Sequence, residues 1–184
     1  MGSTNATTTR PAMNIQEMSM PQYSRYHLRI LALNLALSVT PATAETDAVL
    51  TVRNGQGDVL RSFTDADLSA LPQVTFETQT IWTALAHRFA GPTLVAVLDA
   101  AGYEELTDES VISLHALNDY TAWIDSSLIS DSAPIIANRI DDAPFSVRDK
   151  GPLWVIFPYD QSPDYQTEVI FGVSVWQLYE ITVD

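Results

Sequence analysis

The chain has no cysteine in its 184 residues. Disulfides, thiolate metal sites and thiol nucleophiles are therefore excluded whatever the compartment. Positive charge is nearly as scarce: Lys150 is the single lysine, and lysine and arginine together number 9 against 23 acidic residues, a formal net charge of -14. Phosphate contacts need basic patches, so no nucleic acid or anionic lipid surface is expected as a partner. Of the histidines, His27 lies near the N-terminus, and His87 and His115 stand alone without His-x-x-x-His spacing. A zinc site has neither its imidazole pair nor its thiolates. No Gly-x-Ser-x-Gly elbow, P-loop or Gly-x-Gly-x-x-Gly run is present, so an elbow-type serine hydrolase, a P-loop phosphate binder and a Rossmann enzyme lack support. The acidic pairs Glu104-Glu105, Asp108-Glu109 and Asp141-Asp142 stand in turn-like polar segments and read as solvated surface rather than as a general acid and base.

Long hydrophobic runs are missing too. The longest, Ile30 to Leu37, falls well short of the roughly 20 residues that span a bilayer. Arg25 and Arg29 precede it, Thr40-Pro41 breaks any helix, and Ala42-Thr43-Ala44 supplies small residues of the kind a signal peptidase accepts. The expectation is a cleaved leader over residues 1–44, cut after Ala44, followed by one domain over residues 45–184. Export of an acidic, cysteine-free protein points to a periplasm.

What is present, at 46% apolar residues, is enough for one domain with a real core. Ala48 to Arg53 and Val59 to Phe63 flank Asn54-Gly55 and Gly57-Asp58, which predicts a β-hairpin. Thr64 and Asp65 can cap a short helix that Pro72 stops, and Val74 to Thr80 alternates as a strand ending near Trp82. Gly91-Pro92 reads as a loop. Leu94, Val95, Val97, Leu98 and Ala101 then recur at helical spacing, with Gly102 as the C-terminal cap. Ser110 to Leu117, Thr121 to Ile124, Pro134 to Ile140, Leu153 to Phe157 and Ser174 to Val183 read as further strands. The fold class expected is α+β, with mixed β-sheets and short helices. No internal repeat is visible.

The stretch from Val147 to Tyr159 concentrates the chemistry. Arg148 and Lys150 stand together before the tight turn Gly151-Pro152 and an apolar strand that would hold the basic loop rigidly. Trp82, Asn118, Asp119, Tyr120, Arg148, Lys150 and Trp154 are the residues able to line one pocket. A flat heteroaromatic ligand would use Trp or Tyr faces for stacking, Asp119 for an amidine-like donor edge, and Arg148 or Lys150 for carbonyl or phosphate oxygens. The competing reading stays open at this level. A single Trp in a domain of this size is more often core than ligand wall, and Asn118-Asp119 between strands is more often a turn. Trp176, in an alternating run, is assigned to the core.

Three segments in order, HALNDY at His115–Tyr120, VRDKGPLWVIFPYD at Val147–Asp160 and SVWQLYEITV at Ser174–Val183, resemble the molybdopterin-binding domain of the sulfite oxidase type. In that superfamily a similar Gly/Pro/Leu motif leads into a strand ending in Pro, and the likeness covers nearly all of residues 45–184. The resemblance implies the α+β fold of that domain with a pterin-shaped cleft. Catalytic members hold molybdenum through a cysteine thiolate, and Phe76 to Leu94 contains none; Trp154 stands where an Arg is expected. The chain is therefore most similar to small exported relatives that keep the fold and lack the thiolate. For these the resemblance implies a pterin as ligand without molybdenum, no catalysis, and a sensor role towards a membrane receptor with cyclic-di-GMP synthase or hydrolase domains. The alternatives are a molybdopterin-dependent oxidoreductase whose metal is held without Cys, and a ligand-free interaction domain.

Overall fold

Side-chain alternation and turn chemistry set the first elements of the computed structural model, which describes Gly2 and residues 47–103, 106–107 and 109–184. The described residues from 47 onwards belong to one compact unit. The expected leader and its cut after Ala44 lie outside the described residues. Leu50–Asn54 (β1) and Val59–Phe63 (β2) form the expected hairpin. The Asn54 side chain accepts from the backbone N–H of Gln56 and Asp58, and Gly57 takes the left-handed φ of +88° that the turn requires. Asp65–Ala70 (α1) starts at a full capping box. Thr64 Oγ1 accepts from Asp67 N–H, and the Asp67 carboxylate accepts from Thr64 N–H.

Gln73–Thr78 (β3) pairs with His87–Pro92 (β4), a strand absent from the sequence expectation. Gly91-Pro92 carries a turn signature, yet here Gly91 lets β4 lie against the backbone of Ile136 and Ala137, where any Cβ would collide. Leu94–Ala100 (α2) buries Leu94, Val97 and Leu98, and Gly102 follows it at φ +84°. Val111–Ala116 (β5) and Thr121–Asp125 (β6) flank the turn at Asn118 to Tyr120. The single strand expected over Pro134–Ile140 is two, Ile135–Ala137 (β7) and Arg139–Ile140 (β8), which pair with different strands on either side of Asn138, whose Nδ2 donates to Asp65 and Ser69. Trp154–Ile156 (β9) pairs with β7.

The C-terminal run is corrected as well. Glu168–Val173 forms a short helix (α3), capped by Thr167, and only Leu178–Val183 (β10) is strand. Gln177 adopts φ +57°, which breaks the extended conformation after the single bridge between Trp176 and Trp154. The strands assemble as β2-β1-β10-β5-β6, with β1 and β10 parallel, beside a β3-β4-β8 sheet and the β7-β9 pair. The core between them holds Phe63, Leu68, Phe89, Leu98, Ile112 and Phe157, all without solvent exposure. This is the mixed α+β class expected. No helix among the described residues is long and apolar enough to cross a membrane.

One ion pair fastens α1 to the second sheet. Arg139 Nη1 and Nη2 donate to the two oxygens of Asp65 at 2.7 Å each, and this fork is the main reason the Asp65 carboxyl is held below its ordinary 3.8. A depressed folded value means that the pair's stabilisation is present above pH 3.8 and is lost as pH falls through the folded value. Asp65→Asn should therefore lower the urea midpoint at pH 7 and leave a smaller deficit against the parent at pH 3. An equal deficit at both would assign the effect to packing instead.

Candidate functional site

The seven expected site residues do not line one pocket; six of them divide between two clefts, whose tryptophans Trp82 and Trp154 pack against each other. Trp82, Asn118 and Tyr120 line an apolar cleft of ≈ 240 Å³, together with Phe171, Ser174, Val175 and Trp176. Arg148, Lys150 and Trp154 line a wider basic cleft of ≈ 560 Å³, with His87, Phe145 and Asp149 among its other walls. Trp82 and Trp154 lie 5.8 Å apart between ring centroids. Asp119 lines neither cleft. It takes φ +64° in the β5–β6 turn, with its N–H on Ala116 O, so the turn reading holds for it.

The apolar cleft is held open by contacts outside it. Past β3, the Trp82 segment is fixed when Asp160 Oδ2 accepts from Gln79 N–H at 2.7 Å, and the Thr80 hydroxyl accepts from Trp82 N–H at 3.0 Å. Trp82 then meets Trp176 edge-on at 5.2 Å and Phe171 edge-on at 6.0 Å, arrangements that the ring quadrupole favours. Tyr120 Oη donates to Gly172 O at 2.8 Å, tying the β5–β6 turn to α3. Trp176 packs against the core as expected, and, being half-buried, also presents a face to the cleft.

Trp154 lies deeper. Only 1% exposed, it packs against Trp82, Phe89 and Trp176, and its Nε1 donates to Ser174 O. It is a core side chain whose edge reaches the basic cleft. The Ser174 hydroxyl donates to Ile170 O at 2.7 Å and accepts from Tyr159 Oη at 2.6 Å. Burial pushes Tyr159 up to about 12. Both hydroxyls are engaged in joining the end of α3 to the turn that begins at Tyr159.

The basic loop is rigid for local reasons. Ser146 O accepts from Asp149 N–H and Gly151 N–H, Lys150 sits at φ +74°, and Gln177 straps the loop from outside. The strap has two bonds: Gln177 N–H to Lys150 O at 2.9 Å, and Gln177 Nε2 to Val147 O at 2.8 Å. Gly151 is required by space, since a Cβ there would strike Phe145 O. Lys150 Nζ lies 5.7 Å from the Trp154 ring centroid, within cation–π range.

The electrostatics single this loop out. Arg53 pairs with Glu180, Arg88 with Asp142 and Arg139 with Asp65, while Arg61 lies over Phe63 and donates to Ala100 O. Among the described residues Arg148 and Lys150 have no carboxylate within ion-pair distance, and both line the same cleft. Asp149, which accepts from Ser146 Oγ at 2.8 Å, and His87, whose Nδ1 meets Asp141 at 2.7 Å, stand beside them. Asp149 was legible beside Lys150 in the sequence; His87 and Phe145 carried no such signal. Thiolates are ruled out by composition, and the described residues hold no group of three His, Asp or Glu arranged for a metal. The donor set does not fit a thiolate-ligated molybdenum cofactor.

No protein-family model matches the chain, and no curated protein matches it.

Proposed function

We propose that this chain is a non-catalytic pterin-binding protein with the sulfite-oxidase-type molybdopterin-binding fold. It acts as an exported periplasmic ligand sensor that signals to a membrane-bound cyclic-di-GMP enzyme, and it seats the pterin ring in the basic cleft. The observation that carries this reading is the placement of Arg148 and Lys150, without an ion-pair partner among the described residues, in a cleft that also presents the Asp149 carboxylate and the Phe145 ring. A pterin shows an oxo acceptor beside an amino and ring N–H donor edge. A cation suits the first, a carboxylate the second, and an aromatic face the flat ring.

Polar satisfaction selects between the clefts. The apolar cleft offers a pterin little beyond the Asn118 amide, and each ring polar group left unpaired there would cost about 1–3 kcal/mol. The basic cleft is also within the 300–1,000 Å³ or so usual for small-molecule sites. No redox step is assigned, because no lining residue supplies a thiolate. Ligand entry would shift the 147–150 loop as a unit and, through Gln177, the position of Trp176, giving two surface states of different ligand affinity.

The test is a titration of the purified protein with oxidised and reduced pterins, read by tryptophan fluorescence and calorimetry. Arg148→Ala, Lys150→Ala and Asp149→Asn should each weaken binding about tenfold or more, the loss expected for a charge-assisted hydrogen bond. Absence of saturable binding, or affinity unchanged in all three variants with circular dichroism intact, would overturn the reading.

A further inference from the structure

The apolar cleft is left without an occupant by this reading, and its surroundings differ from the rest of the surface. Three segments supply most of its wall: the Gln79–Leu85 stretch between β3 and β4, the β5–β6 turn, and α3. On those segments lie Ile81 at 62% exposed, Leu85 at 71%, Leu117 at 50%, Tyr120 at 47% and Val169 at 65%. They make up five of the eleven large hydrophobic residues exposed among the described ones. Scattered exposed apolar groups are ordinary, but their concentration on the segments that wall an apolar cavity points to an interaction site.

Charge on the same segments has one sign. Asp119 is in the turn, and Glu168 sits three residues before Phe171, on the same side of α3. None of the three segments carries Lys or Arg. At ≈ 240 Å³ the cavity is smaller than a drug-sized ligand needs and suits a single large side chain. Its aromatic walls, Trp82, Phe171 and Trp176, meet edge to face around it.

We infer that this cleft is the anchor pocket of a protein–protein interface, taking one aromatic or large aliphatic side chain presented by a partner whose surrounding surface is basic. Apolar burial of the anchor supplies the affinity. The acidic rim of Asp119 and Glu168 selects the partner's charge and speeds encounter. The inference stands whether or not a pterin fills the basic cleft, since it uses none of Arg148, Asp149 or Lys150. If both readings hold, Trp82 and Trp176 link ligand and partner, because Trp82 abuts Trp154 and Trp176 precedes the Gln177 strap.

The probe is a capped peptide, Lys-Gly-Trp-Gly-Lys, titrated into the full-chain protein and followed by the indole N–H signals of Trp82 and Trp176. Saturable shifts of both indoles are expected, weakening as salt rises. At least tenfold weaker binding is expected when Ala replaces the peptide Trp or Glu replaces its Lys residues. Asn118→Phe fills the cleft from an exposed turn position, so it should abolish the shifts while leaving circular dichroism and pterin affinity unchanged. The inference is overturned by equal binding of the Trp and Ala peptides, by equal or tighter binding of the Glu-flanked peptide, or by no shift at about 1 mM, a concentration that detects contacts of only about 4 kcal/mol. It is also overturned if the protein dimerises and Asn118→Phe removes the dimer, which would make a second copy the occupant.

Discussion

Trp154→Ala is expected to lower folding stability by about 3–5 kcal/mol, the range for truncating a fully buried large aromatic side chain. The side chain is 1% exposed, with Phe89 at 5.7 Å, Trp82 at 5.8 Å and Trp176 at 6.3 Å between centroids. Its removal opens a cavity bounded by other rings, which cannot collapse together without giving up their edge-to-face contacts. It also leaves Ser174 O without the Nε1 donor. Trp154→Phe keeps most of the volume and loses that bond, so it should cost about 1–3 kcal/mol. Urea unfolding of the two variants gives the comparison. If Trp154→Ala cost less than about 1 kcal/mol while ligand affinity collapsed, the residue would be a ligand wall, as its place beside the basic loop suggested, and not a core strut.

The difference between those roles explains what the sequence could and could not convey. Elements written in local chemistry were legible: the Asn54–Asp58 turn, the Thr64 cap, the helix ending before Gly102, and alternation in β5 and β6. The strand β4 was not, because Gly91-Pro92 signals a turn, and its other reason for being there, the close pass of Ile136 and Ala137, is tertiary. The same applies to the site. Residue chemistry nominated Trp82, Asn118, Tyr120, Arg148, Lys150 and Trp154, and the structure places all six on clefts. That there are two clefts follows from the packing of Trp82 on Trp154, which no spacing encodes. That Trp154 is buried in β9 while Trp176 shows a face to a cleft is likewise set by packing. Asp119 was chosen for its charge, and the turn holds it outside both clefts. Asp149, one residue before Lys150, supplies the carboxylate instead.

The second large effect is expected at Gly151, where the sequence pointed to backbone freedom and the structure shows a demand for space. A Cβ there would collide with Phe145 O and approach Phe145 Cδ2 at 2.9 Å. Backbone cannot yield as a flexible side chain can, so Gly151→Ala must displace the 145–150 loop, at an expected cost of about 1–3 kcal/mol for an overpacked site. The consequence reaches the cleft directly. The loop carries Phe145, Arg148, Asp149 and Lys150 together, and the Gln177 strap that holds Val147 O and Lys150 O would be strained or broken. Pterin affinity should therefore fall further in Gly151→Ala than in Lys150→Ala, because one methyl group moves every polar partner of the ring at once. Gly102→Ala is the control. It is strained by φ +84° but meets nothing within 4 Å, so it should cost about 1 kcal/mol and leave affinity unchanged. Unfolding midpoints and pterin titrations on the two variants separate loop displacement from general destabilisation. Equal affinity in Gly151→Ala and the parent would show that the ligand does not use the basic cleft.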